Sequence, residues 1–94
     1  MAFVIDKVTS IEPGANQRWF YRWPGIPTFG GFAFAGSDAG LMLAGAKVLT
    51  PGAELMAFDQ SKKMENDGTF IYLVTIRNLS PFPALYKLEY GGIS

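Results

Sequence analysis

Alternation of apolar and polar positions is the clearest signal along the chain, and it is strongest near the C-terminal end. In residues 69–78 every second side chain is large and apolar or aromatic, which is the period of a strand with one buried face. Residues 84–90 alternate in the same way, so that Tyr86, Leu88 and Tyr90 are predicted to point inward while Lys87 faces solvent. Both segments are therefore predicted to be strands of a sheet with a buried face.

Proline, glycine and asparagine divide the chain at intervals too short for long helices. Pro13-Gly14, Asn66-Asp67-Gly68 and the segment 79–83 have the composition of tight turns. Each is expected to connect two antiparallel strands. The predicted hairpins pair residues 3–11 with 17–23, 54–60 with 69–78, and 69–78 with 84–90.

The central segment, residues 26–48, is rich in glycine and alanine and has no single period. Its small residues permit close approach of another backbone. Residues 41–49 are compatible either with one helical turn followed by a strand or with strand throughout. The sequence leaves both alternatives open here.

Length and composition favour one small domain. The chain has 94 residues, of which 49% are hydrophobic and 17% are charged, so intrinsic disorder is excluded and a single core is expected. Together with the strand pattern this predicts an all-β domain over residues 1–94, a single antiparallel β-sandwich of about seven strands.

Charge and cysteine usage exclude several kinds of partner. Eight basic residues balance eight acidic ones without a basic run, which argues against nucleic-acid binding. The absence of cysteine rules out disulfides and thiolate metal ligands and leaves the compartment undecided. The N-terminus shows no signal peptide, and residues 30–49 are too interrupted by charge and glycine for a spanning helix. A net charge of zero favours self-association.

The C-terminal half carries a resemblance to a known kind of domain. Its residues are Leu55-Met56-Ala57-Phe58-Asp59, Asp67-Gly68-Thr69, Tyr72-Leu73-Val74-Thr75-Ile76-Arg77-Asn78 and Tyr86-Lys87-Leu88. They form a long strand that ends in an asparagine and is followed by a Ser/Pro turn and a final strand. This pattern resembles small bacterial immunoglobulin-like domains of the fibronectin type III or CARDB kind. The resemblance implies an immunoglobulin-like fold and a role in adhesion, carbohydrate contact or spacing.

Trp19, Tyr21 and Trp23 share one face of a predicted strand and could form an aromatic platform that stacks on sugar rings. The alternative is that the three rings face the core, which would leave Arg18 and Arg22 in solvent. Core packing is favoured because the opposite register would bury two arginines. Carbohydrate binding is thus the second functional hypothesis.

The apolar residues of the central segment form a candidate protein interface. They have almost no charged neighbours and are difficult to leave in water, yet they could also be core strands of the sandwich. A partner protein or a second copy of the chain is the expected occupant of such an interface. The candidate residues are Phe29, Phe32, Phe34, Leu41, Met42 and Leu43.

No catalytic, cofactor-binding or metal-binding residue is assigned. The chain has no histidine or cysteine, and its eight carboxylates are scattered singly. Residues 62–68 superficially resemble a calcium loop, but their spacing does not match and a solvated turn explains them. The sequence therefore predicts a non-enzymatic structural or protein-interaction module that needs no cofactor and that self-associates or docks on a partner protein.

Overall fold

A computed structural model describes residues 2–4, 7–22, 28–29, 36–38 and 40–93, and every regular element in these ranges is a β-strand. The predicted all-β class is confirmed. The strands are β1 (Ala2–Val4), β2 (Thr9–Ile11), β3 (Asn16–Tyr21), β4 (Thr28–Phe29), β5 (Leu41–Val48), β6 (Leu55–Met64), β7 (Phe70–Asn78) and β8 (Ala84–Ile93).

The strands form two antiparallel sheets. In sheet I, β8 is central, with β1 and β2 paired along one side and β5 along the other. In sheet II the order is β4-β3-β7-β6. The first strands of the chain thus pair with the last strand, and the penultimate strand β7 pairs with β3.

The strand count differs from the predicted seven. Eight strands are assigned in the described residues, but β1 and β2 occupy successive positions along the same side of β8, and β4 has only two residues. Three principal lines of backbone therefore make up each sheet. The predicted strand at 3–11 corresponds to β1 and β2, which are separate strands.

One buried cluster draws side chains from both sheets. Alternate residues of β7 and β8 contribute to it, and so do Trp19 and Tyr21 of β3. Trp19 meets Tyr86 of sheet I edge to face, with ring centroids 6.4 Å apart. Tyr21 stacks on Tyr72 at 5.5 Å and contacts Tyr90 of sheet I at 5.0 Å. The predicted inward faces of β7 and β8 are confirmed, and we call these the inner faces.

Only one of the three predicted hairpins is present. β6 and β7 pair directly across the turn at 66–68, where Gly68 has a φ of 87° and Asp67 Oδ1 accepts a hydrogen bond from the backbone N–H of Thr69 at 3.0 Å. The hairpin of 69–78 with 84–90 is wrong, because β7 lies in sheet II and β8 in sheet I. The hairpin of 3–11 with 17–23 is wrong for the same reason, since β2 and β3 belong to different sheets.

Asn78 provides the physical reason why these two connections cross between sheets. Its side chain is 1% exposed and donates to the carbonyls of Ile11 at 3.0 Å and Phe82 at 2.9 Å. Its Oδ1 accepts from the N–H of Ser80 at 2.9 Å, and its backbone exchanges bonds with Gly14 and Ala15. These bonds join the two connections at one end of the molecule. They satisfy backbone N–H and C=O groups of both connections although neither forms a hairpin.

The structure decides between the two alternatives for residues 41–49. Leu41–Val48 is strand throughout, as the second alternative has it, and β5 pairs along its length with β8. A hydrogen bond also joins the edges of the two sheets: Gln60 of β6 accepts from the N–H of Ala44 of β5 at 2.9 Å. Trp23, Phe32 and Phe34 lie outside the described residues, as do the side chains of Phe29, Leu41 and Met42.

Candidate interaction surface

The aromatic row of β3 faces inward. Trp19 and Tyr21 are each 1% exposed, so the core interpretation is confirmed for both, and neither ring is available for an exposed platform. The hydroxyl of Tyr86 accepts from Trp19 Nε1 at 2.8 Å and donates to Gln17 Oε1. Burial raises the pKa of Tyr86, although the Trp19 hydrogen bond partly offsets the effect. These groups form a neutral network that links the sheets.

The opposite, outer face of sheet I carries large aliphatic side chains in solvent. Leu85 is 45% exposed, Leu43 is 46% exposed opposite Gly91, and Val4 is 43% exposed opposite Glu89. Leu49 lies beside Leu85, because its N–H donates to the Leu85 carbonyl at 2.9 Å. Residues on this face in β8 are one position out of phase with the buried tyrosines, so the exposure follows from strand alternation.

Val8 adds a fifth aliphatic side chain to this face. It directly precedes Thr9, which pairs with Tyr86 on the inner face, so alternation places Val8 on the outer side. Its exposed fraction is 50%. Five of the exposed large hydrophobic residues therefore share the outer face of one sheet: Val4, Val8, Leu43, Leu49 and Leu85.

Charge on this outer face is arranged along the central strand. Lys47 of β5 lies directly opposite Lys87, and like charges in this position destabilise a sheet. Glu89, two residues further along β8, lies opposite Gly45. The face thus has two adjacent lysines and, two residues further along β8, one glutamate, with aliphatic residues on either side.

Arg18 covers part of the outer face of sheet II. It reaches over β7, where its Nη1 donates to Thr75 Oγ1 at 2.8 Å and pairs with Asp59 Oδ2 at 3.0 Å. Thr75 and Ile71, which point outward by register, are both only 7% exposed. Met56 of β6 remains 38% exposed on the same face.

Asp59 lies in a β-bulge of the edge strand β6. The register with β7 shifts between Phe58 and Ser61, and Asp59 has a φ of 55°, the only non-glycine value above zero among the described residues. A positive φ is uncommon for residues with a Cβ, although aspartate tolerates it better than most. The bulge directs Asp59 to Arg18 on the outer face and turns Gln60 toward β5.

A second ion pair fixes the segment before β5 to sheet II. Lys62 Nζ lies 3.0 Å from Asp38 Oδ1, and the same oxygen accepts from the N–H of Gly40 at 2.8 Å. The Gly40 hydrogen bond, followed by the one from Lys62, lowers the pKa of Asp38. In the described part of the chain, no group of three or more acidic side chains is placed to hold a metal ion.

Of the six predicted interface residues, the structure describes the side chain of Leu43. Leu43 is exposed on the outer face of sheet I, as a docking residue must be, whereas the other five predicted residues lie in undescribed positions or have undescribed side chains. Sequence reasoning missed Val4, Val8 and Leu85. Leu85 could have been found, because an apolar residue occupies a position that alternation assigns to solvent.

The comparisons add no relative from which a function could be transferred. Searches against protein-family models, curated proteins and solved structures find no match to this chain. Within the ranges that the structure describes, there is no helix with the length and apolar character needed to cross a membrane.

Proposed function

We propose that the chain is a non-enzymatic protein-interaction module that self-associates through the outer face of sheet I. The observation that carries the proposal is that five large aliphatic residues lie on that one face around its central charged residues, each between 39% and 50% exposed: Val4, Val8, Leu43, Leu49 and Leu85. Large exposed apolar residues that share one face indicate an interaction site more strongly than residues distributed over the whole surface do.

The absence of net charge supports association between identical copies. Eight basic and eight acidic residues leave no long-range repulsion, so short-range burial of the aliphatic residues can dominate. Several acidic side chains make local bonds: Asp38 pairs with Lys62, Asp59 pairs with Arg18, Glu65 pairs with Lys63, and Asp67 accepts from Thr69. These structural roles are consistent with a module that has no catalytic task.

For the architecture, we propose that the two sheets form the layers of a β-sandwich with the strand order of a jelly roll. Pairing of the first strands with the last and of β3 with the penultimate strand is the order that a long antiparallel ribbon adopts when it is rolled up. In the immunoglobulin fold the last two strands share a sheet, whereas β7 and β8 do not. The adhesion, carbohydrate-contact and spacer roles implied by that resemblance therefore receive no support from the topology.

Light scattering coupled to size exclusion tests the proposal over a micromolar to millimolar concentration series. We expect the weight-average mass to rise above that of the monomer, and Leu43→Ser with Leu85→Ser to abolish the rise because both substitutions remove exposed apolar area. Met56→Ser is the matched control, since Met56 is 38% exposed on the outer face of sheet II. A monomer throughout the series, or association that survives the double substitution, would contradict the proposal.

A further inference from the structure

The geometry points to one particular dimer, and we propose it as the assembly behind the function above, on which it rests. Two copies pack outer face to outer face of sheet I. The two-fold axis lies in the interface, crosses the strands at right angles and passes between Lys87 and Glu89. Such an interface is isologous, so every contact occurs twice.

Lys87 and Glu89 of sheet I are complementary in charge under this axis. Lys87 and Glu89 are two residues apart on the outer face of β8, about 7 Å along the strand. A rotation about the axis places Lys87 of one copy opposite Glu89 of the second copy, and the reverse. Glu89 of the second copy also offsets the repulsion between Lys87 and Lys47, which lie opposite each other within each sheet.

The same rotation brings the aliphatic residues into contact. Leu43 pairs with Gly91 and Leu49 bonds to Leu85, so these two leucines lie equally far from the axis on either side of it. Leu43 therefore faces Leu49 of the second copy. Val4 is level with Glu89. Extending the β2 register by one residue places Val8 level with Lys87, so Val4 faces Val8 of the second copy.

The other in-plane two-fold axis gives an unfavourable pairing. An axis parallel to the strands and centred on β8 would place Lys87 against Lys87 and Glu89 against Glu89 of the second copy. Like charges opposed across an interface oppose association. The distribution of charge along β8 thus selects the axis that crosses the strands.

Within the part of the chain that the structure describes, nothing explains Gly45. A Cβ at this position would meet no described heavy atom within 4 Å, and its φ lies outside the left-handed region. Glycine inside a strand is destabilising by about 0.5–1 kcal/mol relative to alanine, so neither packing nor backbone conformation accounts for it. In the proposed dimer Gly45 faces Lys47 of the second copy and gives that side chain room to lie flat.

The size of the face sets the expected affinity. Three strands about 4.8 Å apart and some eight residues of β8 define a surface of about 14 by 27 Å. Two twisted sheets packed face to face keep their strands within about 30° of each other, so the rows near the axis stay opposed. This projected area is about 380 Å² on each copy, or about 760 Å² for the pair, which is below the about 1,200 Å² of standard specific interfaces and predicts a weak, reversible dimer.

Charge reversal and mixing test the geometry by sedimentation equilibrium at low ionic strength. We expect Lys87→Glu alone and Glu89→Lys alone each to weaken dimerisation by about tenfold or more, since every dimer gains two like-charge contacts. An equimolar mixture of the two variants, and separately the double exchange within one chain, should restore association to within a few fold of the wild type. Arg77→Glu on sheet II should have no effect.

Gly45→Val separates association from folding. Valine favours strands and its Cβ would meet no described heavy atom within 4 Å, so the free energy of unfolding should stay the same or rise while dimerisation is lost. If the wild type associates but the mixture does not restore binding, or Gly45→Val dimerises normally, this geometry is wrong and the interaction module survives. If the wild type stays monomeric, both proposals fall.

Discussion

Trp19 and Tyr86 lie in different sheets and are joined by a hydrogen bond in which the indole Nε1 donates to the tyrosine hydroxyl at 2.8 Å. Their rings also meet at an interplanar angle of 81°. The two sheets are therefore connected by a directional bond within the apolar cluster as well as by packing. Because a hydroxyl can both accept and donate, Tyr86 passes the connection on to Gln17.

Tyr86→Phe tests how much the hydrogen bonds of the Tyr86 hydroxyl contribute to the free energy of unfolding. The substitution keeps the ring but removes the acceptor of the Trp19 bond and the donor to Gln17, so the free energy of unfolding should fall by about 1–3 kcal/mol. Chemical denaturation followed by tryptophan fluorescence measures the change. Tyr72→Phe is the comparison, because its hydroxyl donates to the exposed Asp38 over a longer distance of 3.4 Å, and it should cost less. Equal costs would show that the bond between the sheets is not special.

Asn78→Asp should be severely destabilising at neutral pH. A carboxylate would place negative charge next to the carbonyls of Ile11 and Phe82, which now accept from the amide, at a site 1% exposed. We expect a loss of about 3 kcal/mol or more in unfolding free energy. The loss should shrink as acid protonates the carboxyl, because a protonated oxygen can donate one of the two bonds again. Asn66→Asp in an exposed turn is the control, and a similar loss there would refute the explanation.

The bulge at Asp59 separates the effect of charge from that of backbone conformation. Asp59→Asn removes the ion pair with Arg18 but keeps a side chain that tolerates a positive φ, and it should cost less than about 1 kcal/mol. Asp59→Val puts a β-branched residue at the same φ and should cost about 1–3 kcal/mol. Thermal unfolding of both variants gives the comparison, and equal costs would mean that the backbone conformation is not the constraint.

The Asp38–Lys62 pair predicts a pH dependence of stability. The pKa of Asp38 is lowered in the folded protein, first by the Gly40 hydrogen bond and then by Lys62, so the folded state binds fewer protons than the unfolded state. The stabilisation is therefore present at neutral pH and is lost as the pH falls below about 4 and through the folded-state pKa. Unfolding of the wild type and of Asp38→Asn should differ at neutral pH and converge in acid. A difference that persists unchanged in acid would contradict this assignment.

The inner and outer faces of the strands could be predicted from the sequence, but their partners could not. Alternation placed Tyr86 and Val74 in the core, because side-chain period is a local property of a strand. Which sheet β8 joins depends on Asn78, whose hydrogen bonds reach Ile11, 67 residues away in the chain. A Ser/Pro segment after β7 is compatible with a hairpin and with a crossing, so local turn chemistry could not separate the two.

The candidate surface was only partly predictable for a related reason. Leu43 was identified because it lies in an uncharged apolar segment. Val4 and Leu85 come from opposite ends of the chain and are brought to one face only by the pairing of β1 and β8. Alternation alone marks Leu85 as unusual, but it does not show that Val4 and Leu43 lie on the same face.

Hydroxyl-radical footprinting across a concentration series tests the central claim most directly, because it reports which side chains lose solvent when copies associate. We expect labelling of Leu43 and Leu85 on sheet I to fall as the protein concentration rises, while labelling of Met56 on sheet II stays constant. Unchanged labelling of both leucines, together with protection of Met56, would contradict the assignment of the outer face of sheet I as the interaction surface.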